Sequence, residues 1–464
     1  MFSNELWHGK AASSYAIDQS IRFNDADNAY LARTFSTPTN NKKWTLSAWV
    51  KLGVLGTNRA LISSNINGAE YFDLFFTTAN VLKAQNRIGS SNDLLSSTTR
   101  VFRDPSGFYH FTIVYDSDNS TSADRYIVYV NGDRQTVDDE AGSGVASAFN
   151  KSGVQHQIGI SNTLGSSGVA GLGYQFDGYM SEIHFVDGQA LAPTQFGETS
   201  ENGIWIPKKY DGSYGNNGFK IDGRDASDLG DDESGNGNDF SASGISAHDQ
   251  VLDSPTNNFA VYNILYNVGD VDFPTYSEGN LSVDFNYFGK RSPVSTFALP
   301  TDSDAYCEFY IKTSASSAHN SGVGIGQGDA NNTGNVALTN GVTYNFNGYK
   351  HTGDGTATTF GNTYTAGDII GVYFDQSDNE VDFYKNNTLE GSLSLSSYSG
   401  DLFFLVANNT TNQQVIIANF GQDDTFAGNK TSGSAGASDS SGNGKFYYSR
   451  ISGAKALCSK SLGS

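Results

Sequence analysis

Two acids, Glu182 and Asp187 in the stretch EIHFVD, come nearest by type and spacing to hydrolytic chemistry. Glycoside hydrolysis uses two carboxylates flanking the scissile bond, one to attack or activate water and one to protonate the leaving group. A strand supplies such a pair at i and i+4, positions that share a face. Strand periodicity puts Glu182, His184 and Val186 on one face and Asp187 on the other, unless a bulge intervenes. Val186 therefore stands where the partner acid is needed. We assign no catalytic residue and expect no enzyme. The seven histidines include no two at metal-ligand spacing, and HExxH, P-loop and nucleophile-elbow patterns are absent.

Other residues suit binding better than turnover. In YDSDN, Asp116 and Asp118 directly follow a strand pattern and Asn119 adds a further oxygen. Hard cations are held by such oxygen clusters. The alternative is a solvated acidic turn in an acidic chain. Trp49 lies on the strand face opposite Leu46 and Val50, where its ring either stacks on a sugar or is covered by a later segment. Tyr349 and His351, in the segment 348–361, are the ligand-binding candidates of the second half.

The elements that must position these residues are strands. The 464 residues include 30 Phe and 25 Tyr but only two Met, and aromatic side chains favour pleated, half-buried surfaces. Fifty-two Gly against 8 Pro fit many tight turns. In KWTLSAWVKLG, Leu46, Ala48 and Val50 alternate with Thr45, Ser47, Trp49 and Lys51. FYHFTIVYD alternates likewise, and RYIVYVNGDRQTV carries Asn131-Gly132, a strong type I′ hairpin signal. Asp187-Gly188 predicts a turn and Pro193 opens a short helical turn. In GDIIGVYFDQSDNEVDFYKNN, from Gly367 to Asn387, Ile370, Val372 and Phe374 point one way and are matched by Val381 and Phe383. Asn386-Asn387 makes a further turn. The fold class is all-β.

Lys and Arg total 28 against 49 Asp and Glu, a net charge of −21. Such a surface repels phosphate backbones and anionic membranes, so neither nucleic acid nor membrane insertion is expected. No run approaches the roughly 18 apolar residues of a membrane span. The first ten residues hold no apolar core of a Sec signal. The two cysteines, Cys307 and Cys458, are too few for a zinc cluster, and Cys307 in AYCEFYIK fits a small core side chain. The motif DESGNG at 232–237 recurs as DSSGNG at 439–444, and reads as a turn whose Asp and Asn cap the backbone.

The blocks SIRFNDADNAYLARTF, WTLSAWVK, YHFTIVYD, YIVYVNGD and FDGYMSEIHFVDGQALAPTQFGE arrive in the order of a laminin-G-like or concanavalin A-like jelly roll, which residues 15–198 resemble. That resemblance implies a lectin-like sandwich, and a rim Ca²⁺ for which Asp116, Asp118 and Asn119 are the candidates. The same front half is similar to structural proteins of tailed marine phages. Later, GVGIG, the Gly-Asp entering the hairpin strand, Gly371 within it, FYKNN and the closing ANFGQ resemble a SPRY domain. SPRY domains are bent β-sandwiches that bind proteins through loops.

The expected organisation is an arm (1–19), a laminin-G-like jelly roll (20–198), an irregular connector (199–257), a SPRY-like sandwich (258–422) and a C-terminal docking segment (423–464). The resemblances imply a non-enzymatic phage virion protein, assembled in the host cytoplasm and released by lysis. A tail fibre or receptor-binding appendage recognising a host surface glycan or protein is the leading reading. A capsid decoration protein is one alternative, a secreted lectin or glycan-active enzyme another. Other virion subunits and copies of the same chain are the expected partners, with at least one chain end docking on a neighbouring subunit.

Overall fold

The structure, a computed structural model, describes residues 15–89, 91–161, 173–266, 274–285, 292–314, 321–332, 338–353, 356–408, 413–433, 437–448 and 453–462. The chain is all-β and divides into two compact units, Gly9–Thr256 and Asn257–Ser464.

In the first unit an eight-stranded sheet has the central order Tyr109–Asp116, Lys43–Leu52, Gly178–Asp187, Ser20–Phe23, and faces a seven-stranded sheet that runs from Ser241–Ser243 to Ser91–Val101. Leu46, Ala48 and Val50 enter the core between the sheets, as alternation predicts. Thr45, Ser47, Trp49 and Lys51, on the opposite face, are buried as well. A face that reads as solvent-facing is thus covered.

Much of the cover comes from residues 199–256, which belong to the first unit and are not a separate connector. Phe219–Ile221 pairs with Gly178–Asp187, Ser241–Ser243 extends the seven-stranded sheet, and Gln250–Val251 pairs with Ser20–Phe23. Strands of two or three residues are too short for a period of 2 to show. Two ion pairs lock the end of this stretch: Arg22–Asp249 at 3.2 Å and the fully buried Lys51–Asp253 at 2.8 Å. Of the arm, Ile17 is buried, and its backbone bonds to Ser254 and Thr256. The rest of the arm, 1–14, lies outside the described residues.

In the second unit a seven-stranded sheet contains the order Gln414–Asn419, Ala305–Thr313, Ile369–Asp375, Glu380–Lys385, Thr388–Ser394, and a five-stranded sheet runs from Thr356–Thr359 to Leu402–Ala407. The 367–387 hairpin has the register read from its sequence, with Val372 opposite Phe383 and Phe374 opposite Val381. Asn386 and Asn387 both have positive φ, 47° and 68°, as a type I′ turn requires.

The described part of 423–464 docks on its own sandwich. Phe446 packs on Tyr306 and Phe426 on Tyr310, covering the outer face of Ala305–Thr313. Leu457 N–H donates to Phe420 O and Ala260 N–H to Leu457 O. The repeated motif behaves as a backbone clasp in both copies. Asp232 accepts from the backbone of Lys220, Ser234 and Asn238, and Asp439 from that of Asn443, Gly444 and Ala456.

Candidate functional site

The polar groups that chemistry would need gather on the outer face of the eight-stranded sheet of the first unit. A bulge does interrupt Gly178–Asp187: Ser181 lies opposite Trp49 and His184 opposite Ser47, so Glu182 and Ile183 together face one residue. Glu182 takes the extra step at φ 48°, an unusual conformation for a residue with a side chain. Ile183 enters the core while Glu182 and His184 stay outside it.

Glu182 is saturated with donors. Tyr15 OH donates to Oε1 at 2.9 Å, Lys220 Nζ is 3.2 Å from Oε1, and His184 Nε2 is 3.1 Å from Oε2. Burial alone would raise its pKa, but the bond and charge of His184 and the charge of Lys220 outweigh this and hold it at about 2. A carboxylate accepts only, so His184 Nε2 donates to Glu182, and on its other side Nδ1 lies 2.8 Å from Tyr214 OH. Such a Glu182 cannot serve as a general acid.

Asp187, the other acid, stays on the opposite side, because the bulge lies upstream of it. Its buried carboxylate accepts from Thr39 N, Asn40 N, Asn150 Nδ2 and Asn217 N at 2.7–3.2 Å. The two acids do not form a pair.

Ser47 and His110 resemble a nucleophile and base, with Oγ 2.8 Å from Nε2. The third partner decides otherwise. Trp205 Nε1, 2.9 Å from His110 Nδ1, can only donate, so Nδ1 accepts and Nε2 donates to the serine. Burial, aided by the charge of His184, pushes the His110 pKa down to about 3. The imidazole therefore donates its own proton to the serine oxygen and has no free nitrogen with which to take the serine's. Trp205 reaches this position because Gly132 and Gly197 leave room, since a Cβ on either would lie 2.5 Å from the indole.

Trp49 is only 5% exposed, with its ring 4.7 Å from that of His110. The sugar-stacking expectation is corrected: the ring is consumed by packing. The cleft beside it, lined by Tyr15, Ile17, Phe196, Pro207 and Lys208, has no room for a water molecule.

At the 116–119 turn, Asp116 Oδ2 lies 3.1 Å from Lys43 Nζ and Asp118 Oδ1 lies 3.3 Å from Lys42 Nζ. Asn119 Oδ1 accepts from Thr121 N. Asp116 Oδ1 is buried without a hydrogen-bond partner, but Ca²⁺ here would have to displace two ammonium groups. The residues present do not fit that ion, and among the described residues no three His, Cys, Asp or Glu side chains cluster as a metal site.

In the second unit, the described part of 348–361 is not an open loop but a hairpin, Tyr349–Thr352 with Thr356–Thr359, at the edge of the five-stranded sheet. His351 is 2% exposed, so its assignment to ligand binding is corrected: its side of the strand faces inward. Tyr349, on the same face but at the first position of the strand, is 38% exposed. Near it, Lys350 Nζ lies 5.9 Å from the Phe360 ring.

Tyr15, Lys220, Tyr214 and Trp205 are the site residues that sequence reasoning missed. Each comes from a segment without strand alternation, and the Gly132 turn beneath Trp205 was the one visible signal.

Fold and site together define an all-β chain of two sandwich-like units, and in the first the polar groups on the sheet face hold the chain's own covering segments. Residues 24–195 match the family model of the concanavalin A-like lectin/glucanases superfamily. Among curated proteins, none matches the chain. Among solved structures, a heptameric SAP-like pentraxin from Limulus polyphemus is similar at 16% identity, over 39% of this chain and 82% of that one, with a TM-score of 0.30. The SPRY domain of human HERC1 is similar at 15% identity, over 30% and 87%, with a TM-score of 0.27. Another human SPRY domain is similar at 20% identity, over 30% and 90%, with a TM-score of 0.25.

Proposed function

We propose that this chain is a receptor-binding appendage of a tailed-phage virion, a tail fibre, which holds a host surface glycan or protein through loops and sheet edges and works as a homo-oligomer. One observation carries the reading of where it binds. The sheet face holding Trp49, His184 and Glu182 is filled by the chain's own residues, whereas Tyr349 stands exposed on an edge hairpin. Recognition on a rigid sandwich falls to such peripheral elements. The acidic, Gly-rich, all-β composition and the resemblance of the front half to marine phage structural proteins support the virion assignment. The test is a virion reconstruction combined with competition. Density for this chain on the tail, and a block of phage adsorption by the purified chain, are expected. Density on the capsid shell without such a block would replace this reading with a decoration protein.

A further inference from the structure

Val81–Ile88 and Ser91–Val101 are the last two strands of the seven-stranded sheet in the first unit. Leu82, Ala84 and Leu94 turn into the core, so Val81, Lys83, Gln85 and Arg87 stand on the outer face. Their cross-strand partners Val101, Ser97, Leu95 and Asn92 share that face. Leu95 is 38% and Val101 41% exposed, so two of the six exposed large apolar side chains among the described residues lie on this one strip.

Lys83 and Arg87 are not ion-paired among the described residues, in a chain whose acids outnumber its Lys and Arg by 49 to 28. The acids around them are engaged elsewhere. Glu70 holds Lys151 at 2.8 Å, and Asp73 accepts from Ser161 Oγ at 2.7 Å. Asp138 and Asp139 accept from the backbone N–H groups of Ser97 and Leu95. Asp93, in the bulge of its strand, makes no ion pair with either cation. The strip is also pre-set: the Arg87 guanidinium lies 5.9 Å from the Tyr71 ring, and Gln85 Nε2 donates to Tyr71 OH at 2.8 Å and to Asn92 Oδ1 at 3.2 Å.

Along the strip the exposed groups alternate in kind: Val101 beside Val81, then Lys83, then Leu95 beside Gln85, then Arg87. Each step is two residues of strand, roughly 7 Å. An extended polypeptide has that same step between side chains on one face. We propose that this strip docks an extended segment of another protein whose residues at i, i+2, i+4 and i+6 are apolar, acidic, apolar and acidic. Charge complementarity selects the acids, and Leu95 and Val101 select the apolar positions. A sugar polymer brings no aliphatic side chains to cover those two. A nucleic acid carries a charge about every 1.7 Å and is repelled by the rest of this acidic surface. The strip belongs to the first unit and stands whether or not the Tyr349 edge binds host cells.

The test uses two labelled, end-blocked seven-residue peptides and the full chain, read by fluorescence anisotropy. One peptide has Val, Glu, Leu and Glu at its odd positions and Thr at its even ones; the other has Lys in place of Glu. The wild type should bind the Glu peptide about tenfold more tightly than the Lys peptide, and 0.5 M salt should remove most of that preference. Lys83→Glu with Arg87→Glu should reverse the order. Leu95→Ser should weaken the Glu peptide, and Tyr349→Ala should not. No preference in the wild type overturns the proposal, and so does a preference that survives the charge reversal. Binding of trigalacturonate but of neither peptide would make the strip a glycan site. Self-association abolished by the charge reversal, without peptide binding, would make it a contact between copies. Either result overturns the proposal too. Should the charge-reversed chain fail to fold, Lys83→Gln with Arg87→Gln decides, because the preference must then vanish.

Discussion

Asp253→Ala removes one partner of an ion pair whose two side chains are both 0% exposed and whose atoms are 2.8 Å apart. Lys51 lies on the central strand of the eight-stranded sheet, and Asp253 follows the last strand of that unit, so the pair ties the covering stretch to the sheet. Losing the carboxylate removes the closest counter-charge of a buried ammonium that also lies within 6 Å of the Phe108 and Tyr179 rings. Breaking a buried pair from one side costs about 3–5 kcal/mol. For a unit of this size, that lowers Tm by roughly 6–20 °C. Burial already pulls the Lys51 pKa down, and Asp253 opposes that pull. Without Asp253 the folded value drops further below the unfolded one. A base with a depressed folded pKa gains stability as the pH rises towards its unfolded pKa, so the deficit should shrink between pH 7 and pH 9. Lys51→Met with Asp253→Ala removes both charges and should recover most of the loss. Three of the four tryptophans, Trp44, Trp49 and Trp205, belong to the first unit, so most of the change in tryptophan fluorescence in a denaturant titration follows its unfolding. A loss below about 1 kcal/mol, or a double variant no more stable than Asp253→Ala, would refute the reasoning.

Gly132→Ala should cost about 1–3 kcal/mol, because the new Cβ meets the Trp205 ring at 2.5 Å and φ is 83°; wild-type stability in a chemical denaturation curve would contradict it. Millimolar Ca²⁺ should leave the wild-type Tm unchanged, since Lys42 and Lys43 already neutralise the 116–119 turn, and a rise that chelator reverses would restore the calcium site. Tyr349→Ala should weaken binding to host cells by roughly 5–30-fold while leaving Tm nearly unchanged, as expected of an exposed aromatic anchor. Unaltered binding in that variant would move recognition away from this edge.

The fold was legible wherever a strand was long enough to alternate. The 367–387 hairpin, the Asn131-Gly132 turn and the inward set Leu46, Ala48 and Val50 follow from period 2 and turn chemistry alone. The outer faces were not legible. Thr45, Ser47, Trp49 and Lys51 on one central strand, and Tyr306 and Glu308 on the other, carry the polar pattern of a solvated face and are nevertheless buried. Their covers, 199–256 and the described part of 423–464, are held by two- and three-residue strands, Asp clasps and buried ion pairs, none of which has a sequence period. The same limit applies at the site. A bulge at Glu182 has no glycine to announce it, and the tautomer of His110 depends on an indole 95 residues away in sequence. The separation of Glu182 from Asp187 was readable, because it needed only the alternation of a strand.

Binding without turnover is the central claim, and one measurement addresses it directly. The purified chain is incubated with host envelope polysaccharide, and retained polysaccharide and newly formed reducing ends are measured in the same sample, for the wild type, Tyr349→Ala and Glu182→Gln. Retention by the wild type, its loss in Tyr349→Ala, and no reducing ends above background in any of the three are predicted. Reducing ends that accumulate with the wild type and disappear with Glu182→Gln would contradict the account.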